Sequence, residues 1–267
     1  MYKKYHFNTP ISNVYVVGDT HGSFRLIQYK IKSDNIKDSV IIVAGDCGFG
    51  FEKEAHYKNV YNKMKKTLIE SNVKLVFVRG NHDNPLYFDG EVINFPNFIA
   101  IPDYSVLIFN DVDATYNVLC VGGAVSVDRV WRKNNELKYR RNLYWDDESP
   151  YYSEDILNAI KLDGINIDAM ITHTTPSFAP PTDKNGISSF IAIDKDLAAD
   201  VDSERRVMDE IYNHIVKKDK HPIKLIIHGH FHSHSTYYSE EEVKIVGLDM
   251  CHERNNSWDI YPLRFYR

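Results

Sequence analysis

The chain has 267 residues, and 32 Lys and Arg against 37 Asp and Glu leave a formal charge of −5. Hydrophobic residues make up 43% and charged residues 26%, which is an ordinary globular composition and excludes a disordered or fibrous chain. The slight excess of acid disfavours nucleic acid and an anionic membrane surface as partners.

Cysteine content and hydropathy limit the expected cellular location and membrane association. Cys47, Cys120 and Cys251 are far apart and form no Cys-x-x-Cys pair, which predicts reduced thiols in a cytoplasmic protein. The apolar runs are only a few residues long, far short of the ~20 residues that span a bilayer, so we expect no membrane partner.

The first third of the chain alternates short apolar runs with helical segments. Residues 14–17, 40–44 and 75–78 are predicted strands, and residues 24–32 and 52–71 are predicted helices between them. Continuous β-branched runs are typical of strands buried on both faces, and their alternation with helices indicates a parallel sheet.

The middle of the chain has a different character. Short strand-like pieces between residues 99 and 127 are joined by polar turns, which predicts antiparallel strands. Residues 128–152 are aromatic and basic and are interpreted as an insertion, whereas residues 174–203 contain three prolines and are interpreted as a long loop or lid. Both segments are candidate substrate-specificity elements of one domain over residues 1–267.

The alternation of strand and helix returns towards the carboxyl terminus. The predicted elements there are helices at 154–162 and 204–217, strands at 169–172 and 224–227, and closing strands at 243–248 and 260–265.

Most of the predicted buried strands are followed by a run of Gly, Asp, Asn or His. The runs are Asp19-Thr20-His21-Gly22, Gly45-Asp46, Gly80-Asn81-His82-Asp83, Thr172-His173 and His228-Gly229-His230. Loops at the carboxyl ends of strands in open α/β sheets converge on one crevice. We therefore expect five loops from one edge to form a single pocket.

Such a pocket suits two metal ions. Carboxylate, imidazole and amide oxygen are ligands of Mn, Fe or Zn. In Asp19-x-His21 and His228-x-His230, residues i and i+2 point the same way along an extended backbone, so each pair can reach one ion. His232 continues this alternation but leaves the strand, as does His234, and both are interpreted as surface or outer residues. One Asp or His alone is as well explained as a helix cap or a packed polar residue.

Taken in order, these motifs resemble the calcineurin-like metallophosphoesterases. The resemblance runs from Asp19 to His230 and implies an α/β fold in which two mixed β-sheets pack as a sandwich flanked by helices, with the active site at the carboxyl ends of the strands. It also implies the metal ligands: Asp19, His21 and His230 for one ion, Asn81, His173 and His228 for the other, and Asp46 as the bridge between them.

The resemblance further implies a hydrolase in which a hydroxide shared by the two metals attacks the phosphorus of a phosphate ester. His82 is the candidate general acid for the leaving group, and Asp83 is its candidate carboxylate partner. Arg129 and Arg132, which lie among aromatic residues of the insertion, are candidate substrate-binding residues.

One departure affects the expected substrate. Protein Ser/Thr phosphatases carry an arginine just after the bridging Asp, and here Cys47 and Gly48 follow Asp46. A phosphomonoesterase acting on a small molecule or a protein is the first prediction, and a phosphodiesterase or a nucleotide or dinucleoside polyphosphate hydrolase is the alternative. A non-catalytic metal-binding scaffold is a minor alternative, since every expected ligand is present. The oligomeric state stays open.

Overall fold

The computed structural model describes residues 2–264, and thirteen strands and six α-helices lie in that part of the chain. In chain order the strands are β1 (Lys4–Phe7), β2 (Val14–Val17), β3 (Ser39–Ala44), β4 (Val73–Val78), β5 (Asn94–Phe95), β6 (Phe98–Ala100), β7 (Ser105–Asn110), β8 (Thr115–Val121), β9 (Ala169–Thr172), β10 (Leu225–His228), β11 (Ser235–Tyr238), β12 (Lys244–Gly247) and β13 (Ile260–Pro262). The helices are α1 (Phe24–Ser33), α2 (Glu54–Glu70), α3 (Arg129–Tyr139), α4 (Glu154–Leu162), α5 (Ser188–Ile193) and α6 (Leu197–Asn213).

The strands form two mixed sheets. The six-stranded sheet has the order β13-β2-β3-β4-β6-β5, in which the central four strands are parallel and the two edge strands are antiparallel. The seven-stranded sheet has the order β1-β7-β8-β9-β10-β12-β11, with antiparallel pairs at β7–β8 and at the β11 edge. Two mixed sheets flanked by helices confirm the predicted fold class.

Alternation along the strands explains how the sheets pack. In β3, Val40 and Ile42 join a core that includes side chains from both sheets, whereas Ile41 and Val43 pack with α1 and α2. Successive strand residues face opposite sides of a sheet, so one apolar run supplies both cores. The outer face of the seven-stranded sheet is covered in the same way by α4 and α6. The layers are therefore helix, sheet, sheet and helix.

Several predicted elements differ from the observed ones. Strands β1, β5 and β11 were not predicted, because they are short and lack a buried apolar run. The segment 174–203, predicted as a loop, contains α5 and the beginning of α6, and the insertion at 128–152 contains α3. Helix α6 begins earlier than predicted because the buried Leu197 already anchors its first turn. Residue 265 of the last predicted strand lies outside the described residues.

Within residues 2–264, the helices are too short or too polar to cross a bilayer.

Candidate metal centre

The polar runs meet where the two sheets meet. The runs containing Asp19, Asp46 and Asn81 follow β2, β3 and β4 of the six-stranded sheet, whereas His173 follows β9 of the seven-stranded sheet. His173 Nε2 nevertheless lies 3.3 Å from Asp46 Oδ1. The expectation of five loops along one sheet edge is therefore corrected: the site is built from the carboxyl ends of strands in both sheets, facing each other across the sandwich.

The first group of ligand atoms, called the outer half-site below, lies nearer to solvent. Its members are Asp19, His21, Asp46 and His232, and one ligand atom of each lies within 4.8 Å of the others. His232 Nε2 is 2.9 Å from Asp19 Oδ2 and 3.2 Å from His21 Nε2. This arrangement places His232 where His230 was expected.

The second group, called the buried half-site, lies behind the first. Its members are Asp46, Asn81, His173 and His230. His173 Nε2 is 2.9 Å from Asn81 Oδ1, and the His230 ring lies 5.1 Å from the His173 ring between centroids. His230 therefore stands where His228 was expected, and the predicted pair of histidines is displaced by two positions along the chain.

The displacement has a backbone cause. Strand β10 ends at His228, and both His230 (φ 71°) and His232 (φ 48°) adopt left-handed backbone conformations. The rule that residues i and i+2 point the same way holds only on an extended backbone. His228 Nδ1 instead lies 3.0 Å from the carbonyl of Gly229, and its ring packs against Phe231. Burial lowers the pKa of His228 to about 4 and keeps it neutral. The structure thus gives His228 a packing role and makes His232 the candidate ligand.

The buried half-site is arranged to hold a cation. His173 Nδ1 lies 2.8 Å from the carbonyl oxygen of Ala44, so it donates its proton there and leaves the Nε2 lone pair facing the oxygens of Asn81 and Asp46. Three potential acceptor atoms converge there, so a positive charge must lie between them, either a proton on Nε2 or a metal ion that replaces it. Burial alone would lower the pKa of His173, but Asp46 and Asp19 outweigh it and raise the pKa to about 10. The donor set therefore fits a bound metal ion.

Asp46 stands between the half-sites. Its Oδ1 faces His173, and its Oδ2 is 3.9 Å from His21 Nδ1, so each oxygen is directed to a different half-site. Burial would raise its pKa, but the neighbouring histidines, His82 and His173 foremost, hold it well below the ordinary value. An ionised carboxylate in this position is compatible with the bridging role that the resemblance implies, and that role stays a prediction.

Unusual backbone angles are concentrated at these loops. Asp46 (φ 47°) and His21 (φ 44°) share the left-handed region with the two histidines of the β10 loop. Each such non-glycine residue costs about 1–3 kcal/mol, which the surrounding structure must offset. Gly45 (φ 98°) is fixed for a second reason, since a Cβ there would overlap the His173 ring.

A further hydrogen-bonded chain reaches Asn81 from behind. Asn81 Nδ2 donates to Ser126 Oγ (2.8 Å), and Ser126 Oγ donates to Glu148 Oε2 (2.6 Å). Burial raises the pKa of Glu148 to about 8. These bonds fix the amide so that its oxygen faces the buried half-site. Sequence reasoning missed Ser126 and Glu148, because neither belongs to a strand-end run.

The two candidate arginines differ. Arg132 Nη2 lies 2.8 Å from His82 Nε2, so Arg132 lies beside the site, and its role in substrate binding stays a prediction. Arg129 binds Asp194 and Asp200, at 2.5 and 2.6 Å, and its guanidinium is held away from the site by these carboxylates. Arg129 therefore joins α3 to the α5–α6 region, and its predicted contact with substrate has no support in this geometry.

Asp83 also differs from expectation. Its carboxylate accepts hydrogen bonds from the main-chain N–H groups of Cys47, Gly48, Phe49 and Gly80, at 2.8 to 2.9 Å. Burial, with the charge of Asp46, raises its pKa to about 6. Among the described contacts, the His82 ring is paired with Arg132 and Asp46, not with Asp83. Asp83 organises the loop after Asp46 instead of orienting His82.

Two cavities open at the centre, and they share no lining residue. The first, called the aromatic cleft, has a volume of about 520 Å³ and is lined mainly by His21, Phe51, Trp131, Arg132, Tyr139 and Arg141. The second, of about 770 Å³, is lined by residues of the α5–α6 region together with His230 and His232.

Two clusters of Asp, His and Asn that share one carboxylate, at the strand ends of a double-sheet sandwich, form a donor set that can hold two metal ions. A family model described as calcineurin-like phosphoesterase matches residues 12–234. The chain therefore belongs to the calcineurin-like phosphoesterases, a family of dinuclear metal enzymes that hydrolyse phosphate esters, and the resemblance found in the sequence is confirmed.

Solved structures give more distant likenesses. A dimetal phosphatase from Danio rerio is 12% identical, with 90% of this chain and 88% of that chain covered and a TM-score of 0.42. A protein serine/threonine phosphatase from Saccharomyces cerevisiae is 13% identical over 93% of this chain and 71% of that chain, with a TM-score of 0.37. A cold-active protein-tyrosine phosphatase of a psychrophilic Shewanella species is 14% identical over 92% and 72%, with a TM-score of 0.33. No curated protein matches the chain.

Proposed function

We propose that this phosphoesterase acts on phosphomonoesters. The observation that carries the proposal is Arg132, whose Nη2 lies beside His82 at the edge of the outer half-site. A terminal phosphate carries two charges and gains more from a nearby guanidinium than a diester does. Arg132 is already held by Asp128 through Nε (2.6 Å) and by the carbonyl of Leu143 through Nη1 (3.2 Å), so Nη2 is aimed before substrate arrives.

The two half-sites would hold Mn, Fe or Zn, since their donors are carboxylate, imidazole and amide oxygen. Bound there, such ions supply Lewis-acid polarisation of the phosphoryl oxygens and lower the pKa of water. The chain's own residues determine where the phosphate lies, because Arg132 and His82 border the outer half-site on one side.

His82 is the proposed proton donor for the leaving oxygen. Burial, with the charge of Arg132, lowers its pKa to about 4, and Asp46 opposes this effect. A dianionic phosphate placed against Arg132 would cancel the repulsion from the guanidinium and favour the protonated imidazole. The proton would then pass from His82 to the leaving oxygen as the ester bond breaks.

A phosphodiesterase is the second candidate, and the cavity at His230 and His232 favours it. A diester has two organic arms, and this cavity offers room for the second arm apart from the aromatic cleft. The same pair of cavities would accommodate the two sides of a nucleotide or dinucleoside polyphosphate, so a hydrolase of such compounds has the same support.

The location proposed from the cysteines also has structural support. Cys47, Cys120 and Cys251 are free and buried, which agrees with a reducing compartment such as the cytoplasm.

The first experiment compares p-nitrophenyl phosphate with bis-p-nitrophenyl phosphate, with Mn²⁺ added and with a chelator. We expect turnover that depends on Mn²⁺ and a higher kcat/KM for the monoester. A higher kcat/KM for the diester would replace the first candidate by the second. Two bound metals without turnover of either compound would contradict both and favour the scaffold alternative.

A further inference from the structure

The aromatic cleft presents large exposed ring faces beside the metal centre. Trp131 is 53% exposed and Tyr139 is 46% exposed, and their rings lie 6.3 Å apart between centroids at an angle of 48°. The Arg141 guanidinium lies 5.8 Å from the Phe51 ring and is paired with Glu52 at 3.2 Å. Exposed aromatic faces grouped around a cavity indicate a site that is covered when a ligand binds.

The cleft lies on the side from which the leaving group must depart. His21 and Arg132 line the cleft, and both contact His82: the His21 and His82 rings are 5.4 Å apart, and Arg132 Nη2 is 2.8 Å from His82 Nε2. A general acid must face the oxygen that it protonates. The organic group attached to that oxygen therefore extends along His82 into the aromatic cleft and not into the other cavity.

The chemistry of the lining selects a flat, hydrogen-bonding group over an aliphatic one. Aromatic side chains bind any base through its π-face, and arginine adds a cation–π contribution. The volume of about 520 Å³ lies within the range of roughly 300–1,000 Å³ that is usual for small-molecule sites. A nucleoside combines the required flat ring with a hydroxyl that can carry phosphate.

Resting on the proposed phosphomonoesterase activity, we propose that the aromatic cleft binds the base of a nucleoside monophosphate, with the nucleoside as leaving group. Water supplies the oxygen that forms the new bond to phosphorus, and the bond between phosphorus and the nucleoside oxygen breaks. His82 gives its proton to the nucleoside oxygen, and the proton that the water releases restores His82. Trp131 is the main stacking surface, because it is the largest ring system of the cleft and is more exposed than Tyr139.

The test compares adenosine 5′-monophosphate with ribose 5-phosphate, which carry the same phosphate on the same primary oxygen and differ in the base. We expect the wild-type kcat/KM to favour the nucleotide by about tenfold or more, the factor that one stacked base supplies. Trp131→Ala should bring the ratio of the two kcat/KM values towards one, and Trp131→Phe should preserve most of it. Leu137→Ala, on the same helix and 93% exposed, is the control whose ratio should not change.

A second readout does not depend on turnover. Adenosine 5′-monophosphate should quench the tryptophan fluorescence of the wild type, ribose 5-phosphate should not, and Trp131→Phe should lose most of the quenching. Equal kcat/KM values for the two compounds in the wild type would overturn the base-binding proposal and leave the phosphomonoesterase standing. If no phosphate is released but quenching is observed, the proposed phosphomonoesterase activity is wrong and the base-binding role of the aromatic cleft stands. Absence of quenching would contradict the proposal that the aromatic cleft binds the base.

Discussion

The outer and buried half-sites share Asp46 but differ in how their other ligands are held. The side chains of His21 and His232 are 29% and 41% exposed, and the hydrogen bonds described for their rings run to each other and to Asp19. His173 is fully buried and is anchored through Nδ1 to a backbone carbonyl. Asn81 and His173 of the buried half-site are therefore held in place before a metal arrives, whereas no comparable anchor is described for the rings of His21 and His232.

This difference in how the ligands are held predicts which of the two metals exchanges more readily. Partners behind a metal ligand orient it and typically improve affinity by 10–100-fold. Asn81 and His173 have such partners, and the rings of the outer half-site lie closer to solvent. We expect the outer metal to leave first.

The largest effect should follow from removing the shared ligand. Asp46→Asn removes a negative charge from both half-sites, so metal content should fall at both. The kcat/KM should drop by about 10³-fold or more, because loss of a ligand costs more than the 10–100-fold that is typical for loss of a group hydrogen-bonded to a ligand. Metal analysis and kinetics with p-nitrophenyl phosphate measure this. Asp34→Asn, an exposed acid at the end of α1, is the control. Wild-type metal content in Asp46→Asn would exclude Asp46 as the bridge.

The next largest effect separates the three histidines after β10. His232→Ala should lose the outer metal and about 100-fold in kcat/KM, whereas His228→Ala should keep both metals because its ring only packs. In the wild type, a chelator should remove metal in two phases, and His232→Ala should lack the fast phase. If His228→Ala loses a metal and His232→Ala does not, the ligand pair is the one first expected from the sequence.

A smaller effect should follow from loosening the buried half-site from behind. Ser126→Ala removes the hydroxyl that accepts a hydrogen bond from Asn81 Nδ2. The metal affinity of the buried half-site should fall about tenfold, and the outer metal should be retained. Competition with a chromogenic chelator measures the two affinities. Ser12→Ala, on an exposed turn, is the matched control. Equal weakening of both metals would show that Ser126 supports the fold in general.

The last prediction concerns the pH dependence of stability and not metal binding or turnover. The pKa of Glu148 is about 8 in the folded protein because of burial, above the ordinary value of 4.5. The folded state therefore holds this proton more tightly. Its contribution to the free energy of unfolding is complete below about pH 4.5 and is lost as pH rises through 8. Glu148→Gln should remove this decline, which these two pKa values put at roughly 3–4 kcal/mol between pH 5 and pH 8, as measured by denaturant unfolding at the two pH values. An unchanged slope would place the Glu148 pKa near its ordinary value.

Local pattern was enough for much of the architecture. The bounds of β2, α4 and β9 coincide with the predicted segments, because a buried strand needs a continuous apolar run and an amphipathic helix needs its own period. Strand β11 lacks such a run, since Ser235–Tyr238 alternates half-buried and exposed side chains at a sheet edge. Pairing with β12 makes it a strand.

For the candidate site, too, some features could be predicted from the sequence and others could not. The residue types that suit a pair of metal ions could be predicted, because they directly follow strand ends. The bridging role of Asp46 came from the family resemblance, and it stays a prediction, as does the role of His82 as general acid. The choice of His232 over His228 could not be predicted, because it depends on left-handed backbone angles beyond the strand. The positions of Arg129 and Asp83 depended on partners distant in sequence, Asp194 and the loop after Asp46.

The sequence was sufficient for the strand–helix alternation and the chemistry of the metal ligands, which follow from apolar periodicity and from polar residues at strand ends. The order of the polar motifs was sufficient for the family, and the double-sheet fold followed from that resemblance. Only the tertiary structure shows which histidines face which half-site, which arginine lies beside His82, and that aromatic side chains of the insertion line a cleft there. The physical reason is that ligand geometry and cavities arise where loops from two sheets meet, and no local pattern encodes the distance between those loops.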